Sequence, residues 1–199
     1  LIAWQVLNKI TACEPAAVGI DIYRDIPVPF DGSERAILDK TFSENPEIVA
    51  IFLMGQQGRK TVPPPPVLSQ VPEQIGFNDF PRDSQADQLV RRGLLFMEDE
   101  NGTATSFALQ LAQIYLESQD IYLEPADDGS SDLKLGELRL SPLRGSEGGY
   151  VDADAGGFQV MIDFKNQIEF PKVTLSELLS KDFDPERLRG KLIVFGTWA

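Results

Sequence analysis

Ile48-Val49-Ala50-Ile51-Phe52-Leu53-Met54 is apolar at every position. A strand with one wet face alternates apolar and polar residues, whereas an unbroken apolar run of this kind fits a strand covered on both faces. The residues before it support that reading. Asn45-Pro46 ends a helical pattern that Ser33 can cap and that runs to about Glu44, with Ala36, Ile37 and Leu38 directed toward the core. Pro27 and Pro29 mark an extended connection ahead of that helix. Val18 to Tyr23 precedes them as a strand with Asp21 near its C-terminal end. Residues 1–14 read as a further helix, with Ala3, Leu7, Ile10 and Cys13 on one side and Pro15 as its stop. Helix, strand, helix, strand with short connections predicts a parallel βαβ arrangement.

Downstream, the signals change character. Gly55, Gly58 and Pro63-Pro64-Pro65-Pro66 exclude helix and central strand from Gly55 to Gln70. The prolines predict a short polyproline II segment, read as a stiff crossing loop rather than a docking ligand. Thr105 to Ser118 carries Phe107, Leu111 and Ile114 at helical spacing. Leu133 to Leu140 alternates about Gly136 as a hairpin or bulged strand does. Gly145, Gly148, Gly149, Gly156 and Gly157 make a glycine-rich loop without the spacing that cradles phosphate, so they imply tight turns. Phe158 to Phe164 and Leu192 to Phe195 read as strands. Thr174 with Glu177 forms a capping box, and Asp184-Pro185 marks another helix start. The expected fold is a single-domain, three-layer α/β structure with a mainly parallel (mixed) sheet and helices on both faces. Its predicted core holds Ile20, Ile22, Val49, Ile51, Leu53, Leu94, Phe96, Phe107, Leu111, Ile193 and Phe195.

Composition excludes several functions. The chain has 199 residues, 42% of them hydrophobic, which suits one packed domain. A net charge of −13 argues against nucleic acid and against anionic lipid surfaces. No apolar segment approaches the length of a membrane helix. With no histidine and one cysteine, the usual triads and the His-based or thiolate metal sites are out of reach. No cofactor and no metal are therefore expected. Asp127-Asp128-Gly129-Ser130-Ser131-Asp132 lacks the spacing of a calcium loop. Carboxylate chemistry is what remains for an enzyme. Asp152 and Asp154 would share a strand face, but they sit among glycines.

Leu89-Val90-Arg91-Arg92-Gly93-Leu94-Leu95-Phe96-Met97 sets two arginines inside a strand-like run. Alternation sends Arg92, Leu94 and Phe96 to one face and Arg91, Gly93 and Leu95 to the other. One guanidinium should be buried against a carboxylate and the other more exposed or available to a ligand. Asp79, Asp83 and Asp87 lie just upstream, and Asp21 and Asp79 are the expected partners.

The order Ile75-Gly76-Phe77-Asn78-Asp79-Phe80-Pro81, an acidic turn, then Val90-Arg91-Arg92 resembles the CHASE domain of type 2. Val18-Gly19-Ile20-Asp21-Ile22-Tyr23, Pro171 to Leu179 and Arg189 to Ala199 match further elements of that family in its order. The chain departs from it at Asp87-Gln88-Leu89, where relatives carry Asp-Gly, and at Asp163-Phe164-Lys165, where they often carry Asn-Tyr-Arg. It reads as a fragment, residues 1–199, lacking the family's first strand and C-terminal end. The resemblance implies a periplasmic or extracellular sensor domain of a bacterial signalling protein. Helices outside the fragment would anchor that protein in the membrane. A cyclase, a two-component histidine kinase or a Ser/Thr kinase would be its output. The stimulus is an unknown small molecule or protein, with a homodimer among the allowed assemblies. Candidate ligand residues are Asp21, Tyr23, Arg24, Asn78, Asp79, Arg91 and Arg92, since open α/β sheets take ligands at the carboxyl ends of their strands. A ligand-free structural or dimerising ectodomain is the alternative, and a carboxylate hydrolase a more remote one.

Overall fold

The computed structural model describes residues 3–26, 35–55, 60–81, 83, 89–99, 102–147, 149–164 and 169–197. The expected connection at Pro27 and Pro29, the Ser33 cap, Asp87 and Lys165 lie outside these residues. In chain order the elements are α1 (Ala3–Thr11), β1 (Ala17–Asp21), α2 (Arg35–Glu44), β2 (Ile48–Phe52) and β3 (Ile75–Phe77). Next come β4 (Arg92–Asp99), β5 (Gly102–Thr105), α3 (Phe107–Glu117), β6 (Leu123–Pro125), β7 (Leu133–Leu135) and β8 (Leu138–Leu140). The chain continues through β9 (Phe158–Met161), α4 (Leu175–Leu178) and β10 (Leu192–Gly196).

β10, β1, β2 and β3 lie side by side in that order, all parallel. The sheet is covered on both faces, which is why β1 and β2 tolerate apolar residues at successive positions. Val18, Ile20, Ile48 and Ala50 pack with Val6, Leu7 and Ile10 of α1, Phe42 of α2 and Leu178 of α4. On the opposite side Ala17 and Val49 meet Leu111, with Phe107, Ile114 and Tyr115 of α3 around them. This third layer presses close to the backbone. A Cβ on Gly76 would stand 2.4 Å from Phe107 Cα, so this glycine is a packing requirement. Ser106 caps α3 by accepting the Leu109 N–H at 3.3 Å.

Predicted core positions split as their places in the layers dictate. Ile20, Val49, Ile51, Leu94 and Leu111 are buried, and Ile22, Leu53, Phe96, Phe107, Ile193 and Phe195 are partly so. The expectation for α2 needs correction, because Ala36 and Ile37 are exposed. Three consecutive residues cannot share one helical face. The inward stripe is Leu38, Thr41 and Phe42, at the i, i+3, i+4 spacing.

The arginine-bearing strand is not part of the parallel sheet. β4 runs antiparallel to both β5 and β9 in a separate three-stranded sheet. The third sheet, β6-β7-β8, is also antiparallel and contains the expected hairpin about Gly136, whose φ is +61. The Thr174–Glu177 capping box opens α4. Asp184-Pro185 opens a turn of 3-10 helix rather than a longer α-helix. Pro63 to Pro65 form neither helix nor strand and Pro65 is buried, but Pro66 opens a turn of 3-10 helix (Pro66–Leu68), which corrects the expectation that Gly55 to Gln70 holds no helix.

Candidate functional site

β4 presents Arg92 to the inside of its sheet, where the side chain is 4% exposed. Burying a guanidinium is tolerable only if its donors are used. Arg92 Nε donates to Asp83 Oδ1 at 2.8 Å, and Nη1 donates to Gln159 Oε1 at 2.8 Å and to the Asp154 carbonyl at 2.7 Å. The guanidinium also lies over the Tyr150 ring, 5.0 Å from its centroid. Gln159 reaches it because β9 pairs Met161 with Arg92 and Gln159 with Leu94, making Gln159 a diagonal neighbour on the same face.

Asp83 is the hub. Its side chain is 9% exposed and accepts from Arg92 Nε, from Arg91 Nη1 at 2.8 Å and from the Tyr150 hydroxyl at 2.9 Å. Burial alone would raise the carboxyl, but the hydrogen bonds from Arg91, Tyr150 and Arg92 outweigh it and hold it below the usual range. Burial, then the bond to this carboxylate, pushes the Tyr150 phenol up. Arg91 is the more exposed arginine, with a side chain 42% accessible.

The glycine-rich loop wraps this centre. Ala153 N–H donates to the Gly145 carbonyl at 2.9 Å, and Leu143 N–H to that of Gln159 at 2.8 Å. Gly157 has a φ of +73, and a Cβ there would stand 2.5 Å from the Phe96 carbonyl oxygen. The loop thus holds Tyr150 and the Asp154 carbonyl against Arg92. Asp152 has a φ of +51, so it is not on a strand with Asp154, whose carboxylate accepts the Gly156 N–H at 2.9 Å. The sequence reading missed Tyr150, Gln159 and the Asp154 carbonyl. Gln159 left one signal, as an amide inside the apolar run Phe158 to Met161.

A second grouping sits at the carboxyl edge of the parallel sheet. Asn78 Nδ2 donates to Asp21 Oδ1 at 3.0 Å, which links the ends of β3 and β1. Asp79 Oδ2 accepts the Met54 N–H at 3.0 Å. Tyr23 is 39% exposed, and burial, then Asp79 and Asp21, raise its phenol pKa. The expected pairing of an arginine with Asp21 or Asp79 is therefore corrected. Both arginines turn to Asp83, because β4 lies outside the parallel sheet whose edge carries the other two carboxylates. The structure brings Asp21, Tyr23, Asn78 and Asp79 together, and places Arg91 and Arg92 in the Asp83 centre. Arg24 lies apart from both, in a depression beside α2.

In the acidic loop, Asp128 and Asp132 bind Arg139 and Asp127 binds Lys134, which engages all three carboxylates with cations of the same hairpin.

Fold and site together define an α/β domain whose buried polar centre is built from side chains that hydrogen-bond to one another. The model of the CHASE2 domain matches residues 2–199, and the chain belongs to that family. CHASE2 is an extracellular sensory domain of signalling proteins, not a catalytic one. No curated protein and no solved structure matches the chain significantly. No described helix is long and apolar enough to cross a membrane.

Proposed function

We propose that this domain is the input module of a membrane-anchored bacterial signalling protein and passes a small-molecule or protein stimulus to a cytoplasmic output domain. The observation that carries the reading is the family match across residues 2–199. The gathering of Asp21, Tyr23, Asn78 and Asp79 supports it, since the carboxyl edge of an open parallel sheet is where such folds take ligands. The output on this reading is a cyclase, a histidine kinase or a Ser/Thr kinase, and membrane helices outside these 199 residues anchor the protein. The domain itself performs no chemistry, and Asp83 is no general base because three donors already occupy it.

The test is the coding sequence on either side of this chain, followed by deletion of the domain from the full-length protein. The expected result is at least one membrane helix, an output domain, and loss of stimulus response with basal output retained. Flanks without a membrane helix or output domain would overturn the reading. A dimerising role has one observation in its favour. β10 is an edge strand on which Leu192 and Val194 are 38% and 56% exposed.

A further inference from the structure

We infer that the segment from Asn78 to Asp83 is a strap that couples the carboxyl edge of the parallel sheet to the Arg92 centre of the β5-β4-β9 sheet. Its use in signalling rests on the input-module reading; the coupling itself does not. At the first end, Asn78 N–H donates to the Phe52 carbonyl and its Nδ2 to Asp21 Oδ1, both at 3.0 Å. Asp79 Oδ2 accepts the Met54 N–H, also at 3.0 Å. These bonds tie the strap to the ends of β1 and β2 at once. At the other end, Asp83 accepts from Arg91, Arg92 and the Tyr150 hydroxyl. Among the described residues it is the only carboxylate on Arg92.

Between the two anchors the chain is short and bare. Phe80 is 58% exposed, and neither it nor Pro81 makes a hydrogen bond among the described residues, to which Arg82 does not belong. Three residues separate Asp79 from Asp83, so their Cα atoms stand at most about 14 Å apart. The ring of Pro81 fixes one of the few soft dihedrals that could absorb a displacement. Charge-assisted hydrogen bonds at Asp79 and Asp83 pin the two ends.

A second link between the sheets lies next to the strap. Phe77 bridges Ser106, whose N–H donates to the Leu95 carbonyl at 2.9 Å. Backbone meets backbone there, as it does at Gly76, which gives the two sheets a fixed point beside the strap. An occupant that takes the Asp21 or Asn78 side chain for itself releases the first anchor, and Asp83 is then held from the arginine side alone. The reverse also holds, because coupling between two sites is reciprocal.

The experiment measures native-state amide exchange on the full chain at neutral pH. Ile162 N–H, bonded to the Arg91 carbonyl, and Leu143 N–H, bonded to that of Gln159, report on the second sheet. Val18 N–H, bonded to the Glu47 carbonyl at the amino end of β1, reports on the parallel sheet away from the strap. Asp79→Ala should speed exchange at Ile162 and Leu143 at least about fivefold and leave Val18 unchanged. Arg92→Gln should speed exchange of Asn78 N–H by a similar factor. A Gly-Gly pair inserted after Phe80 keeps both anchors but adds slack, and in that background neither substitution should act across the strap. No effect of Asp79→Ala on Ile162 and Leu143 would overturn the strap. So would equal acceleration at Val18, which marks general loosening, or an effect that survives the insertion, which runs through the Phe77–Ser106 contact. The Asp79→Ala arm decides alone if Arg92→Gln does not fold. None of these failures touches the input-module reading, which rests on the flanking sequence and the deletion phenotype.

Discussion

The parallel sheet and the β5-β4-β9 sheet bury their interiors by opposite means. Around β1 and β2, hydrophobic side chains from α1, α2 and α3 fill both faces, and specificity comes from close approach, as at Gly76. Around β4, beside buried Leu94 and the Phe96–Phe158 ring pair, the interior also holds a cation, a carboxylate, an amide and a phenol. Apolar cores lose stability in proportion to the volume removed, and many residues share the task. A hydrogen-bonded polar centre is weakened when one member is removed, because those left behind stay buried with fewer partners. The second region is therefore the one a single change can release.

The largest expected effect follows from that difference. Arg92→Ala leaves Asp83 buried beside Arg91 alone among its cations and should cost about 3–5 kcal/mol in urea unfolding. Phe42→Ala should cost a similar amount, about 3–5 kcal/mol, by creating a cavity in the parallel core. Salt and pH separate the two, since only the arginine variant removes a charge.

A smaller loss is expected from Gly157→Ala. Its φ of +73 and the 2.5 Å approach to the Phe96 carbonyl leave no room for a Cβ. The variant should lose more than about 1 kcal/mol by the same measurement. It should also expose the Tyr150 ring, read as a change in tyrosine near-ultraviolet dichroism.

Acid titration sharpens the contrast further. The Asp83 carboxyl is depressed below its ordinary 3.8, so its contribution is full above that value and is lost as pH falls through its folded pKa. The stability gap between wild type and Arg92→Ala should thus narrow below 3.8. The gap for Phe42→Ala should stay constant over the same range. Tyr150 acts at the other end. Its raised pKa makes its contribution full below 10.0 and lost as pH rises through the folded value.

Much of the first region was legible because its physics is local. Ile48 to Met54 declared a doubly covered strand, and the spacing of Phe107, Leu111 and Ile114 gave the helix that covers it. The CHASE2 resemblance was legible in the order of short motifs and extends to the whole chain. The second region was not legible, because β4 looks equally apolar whichever sheet it joins. Asn101-Gly102, a hairpin-turn dipeptide, was the signal for an antiparallel partner. Asp83 stood beside Asp79 in sequence, but only the departure of β4 from the parallel sheet selects between them. Tyr150 reaches Asp83 from 67 positions away, and no pattern in the glycine-rich loop predicts which of its side chains turns inward.

The smallest effect belongs to the other arginine. Arg91 contacts the same carboxylate, but its side chain is 42% exposed, so Arg91→Ala should change stability by under about 1 kcal/mol.

The measurement that tests the account most directly is a double-mutant cycle between Arg92 and Asp83, followed by urea unfolding at neutral pH. If one buried carboxylate holds the second sheet through Arg92, then Arg92→Ala and Asp83→Ala together should cost far less than their sum. The expected coupling is about 2–3 kcal/mol. Additivity within about 0.5 kcal/mol would mean that the two residues act independently and that Asp83 is not the hub.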